Sequence, residues 1–355
     1  MASTHDAVVV GAGPNGLAAA IELARAGRSV LVLEGEDQPG GGSRSAELTS
    51  PGFVHDVCSS AHPAGAASPF FRSLPLEDHG LRWVQPGAPM AHPLDGGRAA
   101  VAERSLDDMV ASLGPDGMRW DRIFGPLVRR GDDLIEELFG PPLHVPKHLV
   151  ALATFGLRAP RPSLGLARSF ATDEARALVA GMAAHSVLPL SKLATGPFAL
   201  FFGVLVHLVG WPVAEGGSQR ITDALAAHLR SLGGEIETGR RVRAMADLPA
   251  SRAVLFDLTP RQVLGIAGDE LPGRYRRGLE RFRYGPAVFK VDWALDGPIP
   301  WAAQGCARAG TVHVGGRMEE VAASEAAAWR GQPSARPFLI LVQPTVCDPS
   351  RAPAG

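Results

Sequence analysis

Residues 8–34, VVVGAGPNGLAAAIELARAGRSVLVLE, constrain this chain more than any other stretch. They read as strand, glycine-rich turn, helix, strand and acid. The first strand is Ala7 to Val10, and Gly11, Gly13 and Gly16 then form G-x-G-x-x-G. Gly11 permits the tight turn, Gly13 lets a pyrophosphate approach the backbone, and Gly16 lets the helix pack closely on the sheet. The helix, about Pro14 to Ala26 and opening on Pro14 and Asn15, aims its N-terminal N–H groups and their partial positive charge at the phosphates. Gly27 ends it as a C′ glycine does. Val30 to Leu33 is the second strand, and Glu34 follows 18 residues beyond Gly16. A carboxylate there accepts hydrogen bonds from both ribose hydroxyls of an adenosine and repels a 2′-phosphate. The expected ligand is therefore FAD or NAD rather than NADP.

Residues 39–45, PGGGSRS, separate those two cofactors. In an NAD dehydrogenase an ordinary loop follows the acid. Here Gly40, Gly41 and Gly42 lead to Arg44, and such a run turns backbone N–H groups toward a second part of a long cofactor. Arg44 is expected to add charge on the pyrophosphate side. The plainer reading is a surface loop with a solvated arginine.

V-V-V-G-A-G-P-N-G-L, the acid at the second strand end and G-G-G-x-R-S together resemble the FAD-dependent phytoene desaturase-like oxidoreductases, closest to their pyridine nucleotide-disulfide oxidoreductase domain-containing branch. PGFVHDVCSSAHP (51–63), GWPVAEGGSQRITDALAAHLRSLGGEIETGRRV (210–242) and YGPAVFKVDWALDGPIPW (284–301) are similar to further segments of that branch, so the resemblance covers essentially the whole chain. It implies a two-domain α/β flavoprotein with bound FAD, and contact of the Val242 backbone with the adenine. From the residues alone, Val242 is simply an apolar strand residue. Members of the family continue past the point where this chain stops, with a final glycine-rich segment that meets the flavin ring. The chain is accordingly expected to be C-terminally truncated, to be completed by another chain, or to associate through an exposed sheet edge.

The segment 216–260 also has a reading of its own. Gly216 and Gly217 precede a helix with Ile221, Leu225, Leu229 and Leu232 on one face. EIETG and RRVRAM read as a short hairpin, and AVLFDLTP as a buried strand ended by Thr259-Pro260. The chain thus returns to the nucleotide-binding sheet. The expected Rossmann-type domain, a parallel sheet with helices, is 1–65 plus 210–268. A discontinuous α+β substrate domain, 66–209 plus 269–355, is expected to lay helices and an antiparallel sheet over the flavin.

In the middle of the chain, 105–142 reads as two amphipathic helices around a Gly-Pro turn, 141–162 as irregular, and 173–190 as a helix. The most apolar window, PFALFFGVLVHLVGWPV (197–213), is shorter than the roughly 20 residues of a spanning helix. It reads as a buried helix lining the active site, or as the mouth for a lipophilic substrate with peripheral membrane contact. FLILVQPTV (338–346) reads as a strand.

Composition sets outer bounds. Hydrophobic residues make up 46% and charged residues 20% of 355, as in globular chains, and the net charge of -1 argues against nucleic acid as a partner. Cys58, Cys306 and Cys347 never form C-x-x-C, which excludes a disulfide-reductase dithiol and fits a reducing cytoplasm. The histidines show no metal-ligand spacing.

Single residues carry two readings each. His62, in SSAHP, lies near the flavin or caps a turn. Asp56 and Ser59 orient that loop. Lys290, between Phe289 and Val291 on an apolar strand, hydrogen-bonds a water at flavin N5 or snorkels from a strand edge. Trp293 and Trp301 line an apolar pocket or fill core. The expected activity is FAD-dependent hydride removal from a lipophilic small molecule. An NAD-dependent dehydrogenase and a non-catalytic FAD- or partner-binding chain are the alternatives.

Overall fold

A computed structural model describes residues 5–141 and 143–353. Its first sheet has four parallel strands in the order Ser251–Phe256, His5–Val10, Val30–Leu33, Glu235–Glu237. Val8, Val9 and Val10 are buried, as a strand covered on both faces requires. On one face the helices Pro14–Arg25 and Gln219–Ser231 pack together through Leu17, Ile21, Ile221, Leu225 and Leu229. Leu74, Leu76 and Leu81 join the same cluster. On the other face Val8, Val10, Leu31 and Leu33 meet Val242 and Ile266. Gly27 has φ +72°, the left-handed geometry of a helix-ending glycine.

The returning segment departs from its reading in two places. No hairpin forms after Glu237. Instead the N–H groups of Gly239 and Arg240 donate to the carbonyls of Glu36 and Glu34, both at 2.7 Å. The backbone of 238–243 is thus bound to the extension of the second strand, which removes the groups a hairpin partner would use. Ser251–Phe256 is an outer strand and only half-buried, because it pairs on one side alone.

The second four-stranded sheet runs Leu339–Val342, Ala309–Val314, Ala88–Leu94, Arg98–Ala102. It is mixed rather than antiparallel: Ala309–Val314 lies parallel to Ala88–Leu94, with a long crossover between them that includes helices of the layer covering this sheet. That layer includes Asp173–Ala184, Thr195–Leu208 and Met318–Trp329. The apolar window is the buried helix Thr195–Leu208, and among the described residues no helix is long and apolar enough to cross a membrane. Residues 105–142 form three helices, Leu106–Ser112, Gly117–Val128 and Gly131–Phe139, because Gly131 opens a further helix after the second. A helix Leu149–Gly156 stands in the stretch expected to be irregular, held by Ala151 and Phe155 in the core. The helix beginning at Asp173 ends at Ala184, short of 190.

Residues 284–301 form no strand, contrary to the reading of this segment. Phe289 is 93% exposed and Trp293 64%. β-branched and aromatic residues make a strand only where a neighbouring edge accepts their backbone, and none does so here. After Leu339–Val342 the chain turns helical at Pro344–Cys347, and Arg351 then enters the interior. Its guanidinium meets the Asp56 carboxylate at 2.6 Å and the Asp348 carboxylate at 3.4 Å, and donates to the Ala214 carbonyl at 3.0 Å.

Both side chains of the Arg351–Asp56 pair are fully buried, so removing one leaves the other charge without solvent or partner. Arg351→Ala is expected to cost about 3–5 kcal/mol in urea unfolding. The double variant Arg351→Met/Asp56→Asn should recover part of that loss, since the stranded charge is gone.

Candidate dinucleotide site

The carboxyl ends of the parallel strands gather the glycine motif. Gly11 has φ +106°, and its N–H donates to the Leu33 carbonyl at 2.8 Å. The helix begins three residues later, with Gly13 extended as its cap and Pro14 in its first turn. A Cβ at Gly16 would collide with the Gly11 carbonyl, and one at Gly11 would lie 2.6 Å from the Asp257 carbonyl. The Gly16 N–H donates to the Asp257 carboxylate at 2.8 Å. Strand end, turn and helix therefore interlock at backbone contact distance. Asn15 is exposed at the helix start.

Glu34 closes the second strand. Its carboxylate accepts the Ala12 N–H at 2.8 Å and the Glu36 N–H at 3.0 Å, so the acid is held beside the turn. The PGGGSRS loop folds against the same turn: the Gly40 N–H donates to the Ala12 carbonyl at 3.0 Å. Gly41 has φ +53°, and the Gly13 Cα lies 2.9 Å from where a Gly41 Cβ would sit. Two glycine loops thus face each other backbone to backbone, and any side chain at either position would fill the gap. A pyrophosphate needs such a cradle, next to a helix N-terminus. The Gly42 carbonyl accepts from the N–H and the hydroxyl of Ser59. Arg44 folds back, with Nε donating to the Gly41 carbonyl at 3.0 Å, so it braces the loop that it was expected to charge.

Asp56 ties this cradle to the returning segment. It accepts from the Ser45 hydroxyl at 2.8 Å, the Ser218 N–H at 2.7 Å and Arg351. Burial raises the Asp56 carboxyl, but Arg351 and these donors outweigh it and hold the group below the usual carboxylate range. Gln219 donates to the Pro39 carbonyl at 2.8 Å. The Ser218 hydroxyl donates to the Ser59 carbonyl at 2.7 Å, so it must accept from His62 Nε2, 2.8 Å away. His62 therefore carries its proton on Nε2. It caps nothing with its side chain; its N–H donates to the Pro212 carbonyl. Burial pushes its imidazole down to about 4, against the Asp56 charge and with help from Arg351.

Val242 is buried against Leu31 and Leu33, under the strand that leads to Glu34. Lys290 is not brought to the cradle. It pairs with Asp292 on the exposed segment, and Asp292 also faces His55 at 3.6 Å. Trp301 donates to Gln343, and the three cysteines are free. Among the described residues no group of three or more ligating side chains could hold a metal. Sequence reasoning missed Asp257, Ser218, Gln219 and Arg351. Asp257 was detectable as the acid directly after AVLF, and Ser218-Gln219 as the polar pair after Gly216-Gly217. Arg351 carried no signal among so many arginines.

A family model described as an NAD(P)-binding Rossmann-like domain matches residues 9–74. The chain is 26% identical to a phytoene dehydrogenase of Streptomyces griseus, over 98% of this chain and 70% of that one. It is 30% identical to one component of the limonene dehydrogenase of Castellaniella defragrans, over 39% of this chain and 26% of that one. Among solved structures, a protein from Pyrococcus furiosus aligns at a TM-score of 0.58 and 16% identity, covering 98% of this chain and 76% of that one. An oxidoreductase from Methanosarcina mazei aligns at 0.51 and 19%, covering 78% and 64%.

His62 is neutral when folded but takes up a proton near pH 6.5 once unfolded. The unfolded state then binds more protons, so stability falls as pH drops from 6.5 toward 4. His62→Gln keeps a donor for Ser218 and should flatten this loss by up to about 3 kcal/mol, read from urea midpoints across that window.

Proposed function

We propose that the chain is a phytoene dehydrogenase-like FAD-dependent oxidoreductase that binds FAD across the paired glycine loops and removes hydride from a small lipophilic substrate. The observation that carries this reading is the approach of Gly41 to Gly13 beside Glu34. A single glycine turn suffices for NAD. A second glycine loop folded onto the first suits a cofactor that continues beyond its pyrophosphate.

Each part of the cradle has a physical task. Glu34 accepts from the adenosine ribose, and the backbone of Val242 contacts the adenine. Gly13, Pro14 and Asn15 present the helix start to the pyrophosphate. Gly41 and Gly42 extend the cradle toward the ring half, and Arg44 keeps that loop in shape. Bound flavin would supply the hydride acceptor itself. What the chain adds is position, exclusion of water and a place for the proton.

The substrate class is supported by the apolar helix Thr195–Leu208, with Phe202 against Trp211 at a ring distance of 5.4 Å. The names of the two curated relatives point the same way, since phytoene and limonene are hydrocarbons.

Purified chain mixed with FAD and desalted is expected to keep absorbance bands near roughly 370 and 450 nm. Glu34→Ala removes charge-assisted hydrogen bonds and should weaken FAD about 10- to 100-fold. A colourless product that instead retains NAD would overturn the reading.

A further inference from the structure

The apolar window 197–213 is the surface for membrane contact that the sequence offers, yet the helix Thr195–Leu208 turns Ala199, Leu200, Val204 and Leu205 into the core. The exposed apolar surface lies elsewhere, on the helix Leu149–Gly156 and the loop before it. That helix, LVALATFG, carries no charged side chain. Its single hydroxyl, on Thr154, donates to the Val150 carbonyl at 2.6 Å. Ala151 and Phe155 are buried, while Leu149, Val150 and Ala153 are exposed, as is Leu157 just past the helix end. A helix that is apolar all round belongs in a core or in lipid, and this one stands half in water.

The preceding loop adds two tips. Leu143 is 96% exposed and Val145 89%. Their backbone is held by a carboxylate clasp. The Glu137 carboxylate accepts the N–H groups of Lys147 and His148 and the His144 Nε2–H, each at 2.7 Å. Glu136 pairs with Lys147 at 2.6 Å and with His148 at 3.1 Å, and Asp133 faces His148 at 3.3 Å. Tied at 144, 147 and 148 to the helix Gly131–Phe139, the loop keeps Leu143 and Val145 away from the core. The acids of this region are spent on the clasp.

Beyond the clasp the charge is of one sign. No Asp or Glu occurs between Glu137 and Asp173, or between Glu174 and Glu215. Arg161 and Lys192 are exposed within those stretches and, among the described residues, enter no ion pair. They lie close together. A Cβ at Gly196 would sit 2.0 Å from the Arg161 carbonyl, so the start of the helix Thr195–Leu208 abuts the chain just past Leu157.

We infer that Leu143, Val145 and the outer side of the helix Leu149–Gly156 insert into the surface of an anionic lipid bilayer, with Arg161 and Lys192 against its headgroups. A helix of eight residues is about 12 Å long, against the roughly 30 Å of a hydrocarbon core, so it lies in the plane of the surface. Two aliphatic tips that project almost completely suit a partner that flows around them, and unpaired cations without neighbouring acids complement anionic headgroups. The face also leads inward: Phe198, partly exposed at the start of the apolar helix, meets Phe202 at a ring distance of 6.4 Å, and Phe202 meets Trp211. The purpose of such docking rests on the lipophilic-substrate reading, since a bilayer is where that substrate dissolves.

The test is flotation of the full chain with phosphatidylcholine vesicles carrying about 30% phosphatidylglycerol at about 0.1 M salt. It needs neither cofactor nor substrate. The chain should float with these vesicles and bind pure phosphatidylcholine at least roughly 10-fold more weakly. Leu143→Ser/Val145→Ser removes side chains that are almost wholly in solvent, so the urea midpoint should hold while binding falls about 10- to 100-fold. Arg161→Gln/Lys192→Gln should cost about 30-fold on anionic vesicles and nothing on neutral ones. Phe289→Ser, on the exposed segment beside His55, should change nothing; an equal loss there would reveal general adhesion and overturn the assignment. Absence of flotation, or undiminished binding by Leu143→Ser/Val145→Ser, overturns it too. A dimer that ignores vesicles and is split by Leu143→Ser/Val145→Ser would give this face to a second copy, and a monomer that ignores them would give it to another protein; both results sink the lipid assignment. Loss of FAD with flotation intact would sink the dehydrogenase reading and leave the docking face standing.

Discussion

The dinucleotide site depends on the backbone contact between Gly16 and Gly11, clamped by Asp257. Strand, turn and helix meet there at a distance that no side chain tolerates, and the Asp257 carboxylate satisfies a helix N–H that would otherwise lack a partner. This contact sets the angle at which the helix leaves the sheet. It also brings the end of Ser251–Phe256, some 240 residues away along the chain, to the same point. Glu34 and the Gly40–Gly42 loop are then tied to the turn by the N–H and the carbonyl of Ala12, with Gly41 packed on Gly13. The cradle is consequently rigid by construction rather than by packing.

A second dependence runs through Asp56. One buried carboxylate gathers Ser45 from the glycine loop's hairpin, Ser218 from the returning segment and Arg351 from the far end of the described chain. Burying two charges is expensive, and the pair compensates only because nearly every donor and lone pair is used. Such a network contributes little net stability. Its value lies in specificity, since three remote segments can meet there in one arrangement only.

What was legible in the sequence follows from whether the signal is local. The Gly11–Gly13–Gly16 turn, its flanking strand and helix, and Glu34 occupy 27 consecutive residues, and each obeys a rule of short-range geometry. The helix Gln219–Ser231 was equally clear from its apolar spacing. The misreadings came where tertiary partners decide. RRVRAM has strand-like residues, but the N–H groups of its first residue, Arg240, and of the preceding Gly239 go to Glu34 and Glu36. YGPAVFKVDWAL has higher strand propensity still, yet no edge receives it and it lies exposed. Arg44 was read by its charge, whereas its Nε is committed to the Gly41 carbonyl. Arg351 and the buried histidines gave no pattern at all, because Asp56 meets Arg351, Gly316 meets His92 and His185 meets His313 from more than a hundred residues away.

Those histidines show how burial alone changes what a residue can do. In water an imidazole near pH 7 exchanges its proton and its tautomer freely. Inside the layer between sheet and helices, charge is excluded, so each ring keeps one hydrogen and one lone pair. Contacts then decide which nitrogen is which. The Gly316 carbonyl, which can only accept, fixes the hydrogen of His92 on Nε2, while His185 and His313 meet through their Nε2 atoms. A carbonyl acts in the same way at the cradle, where the Ser218 hydroxyl, spent on the Ser59 carbonyl, leaves His62 with its lone pair on Nδ1. In both places a carbonyl that can only accept sets the direction, and burial keeps the ring neutral.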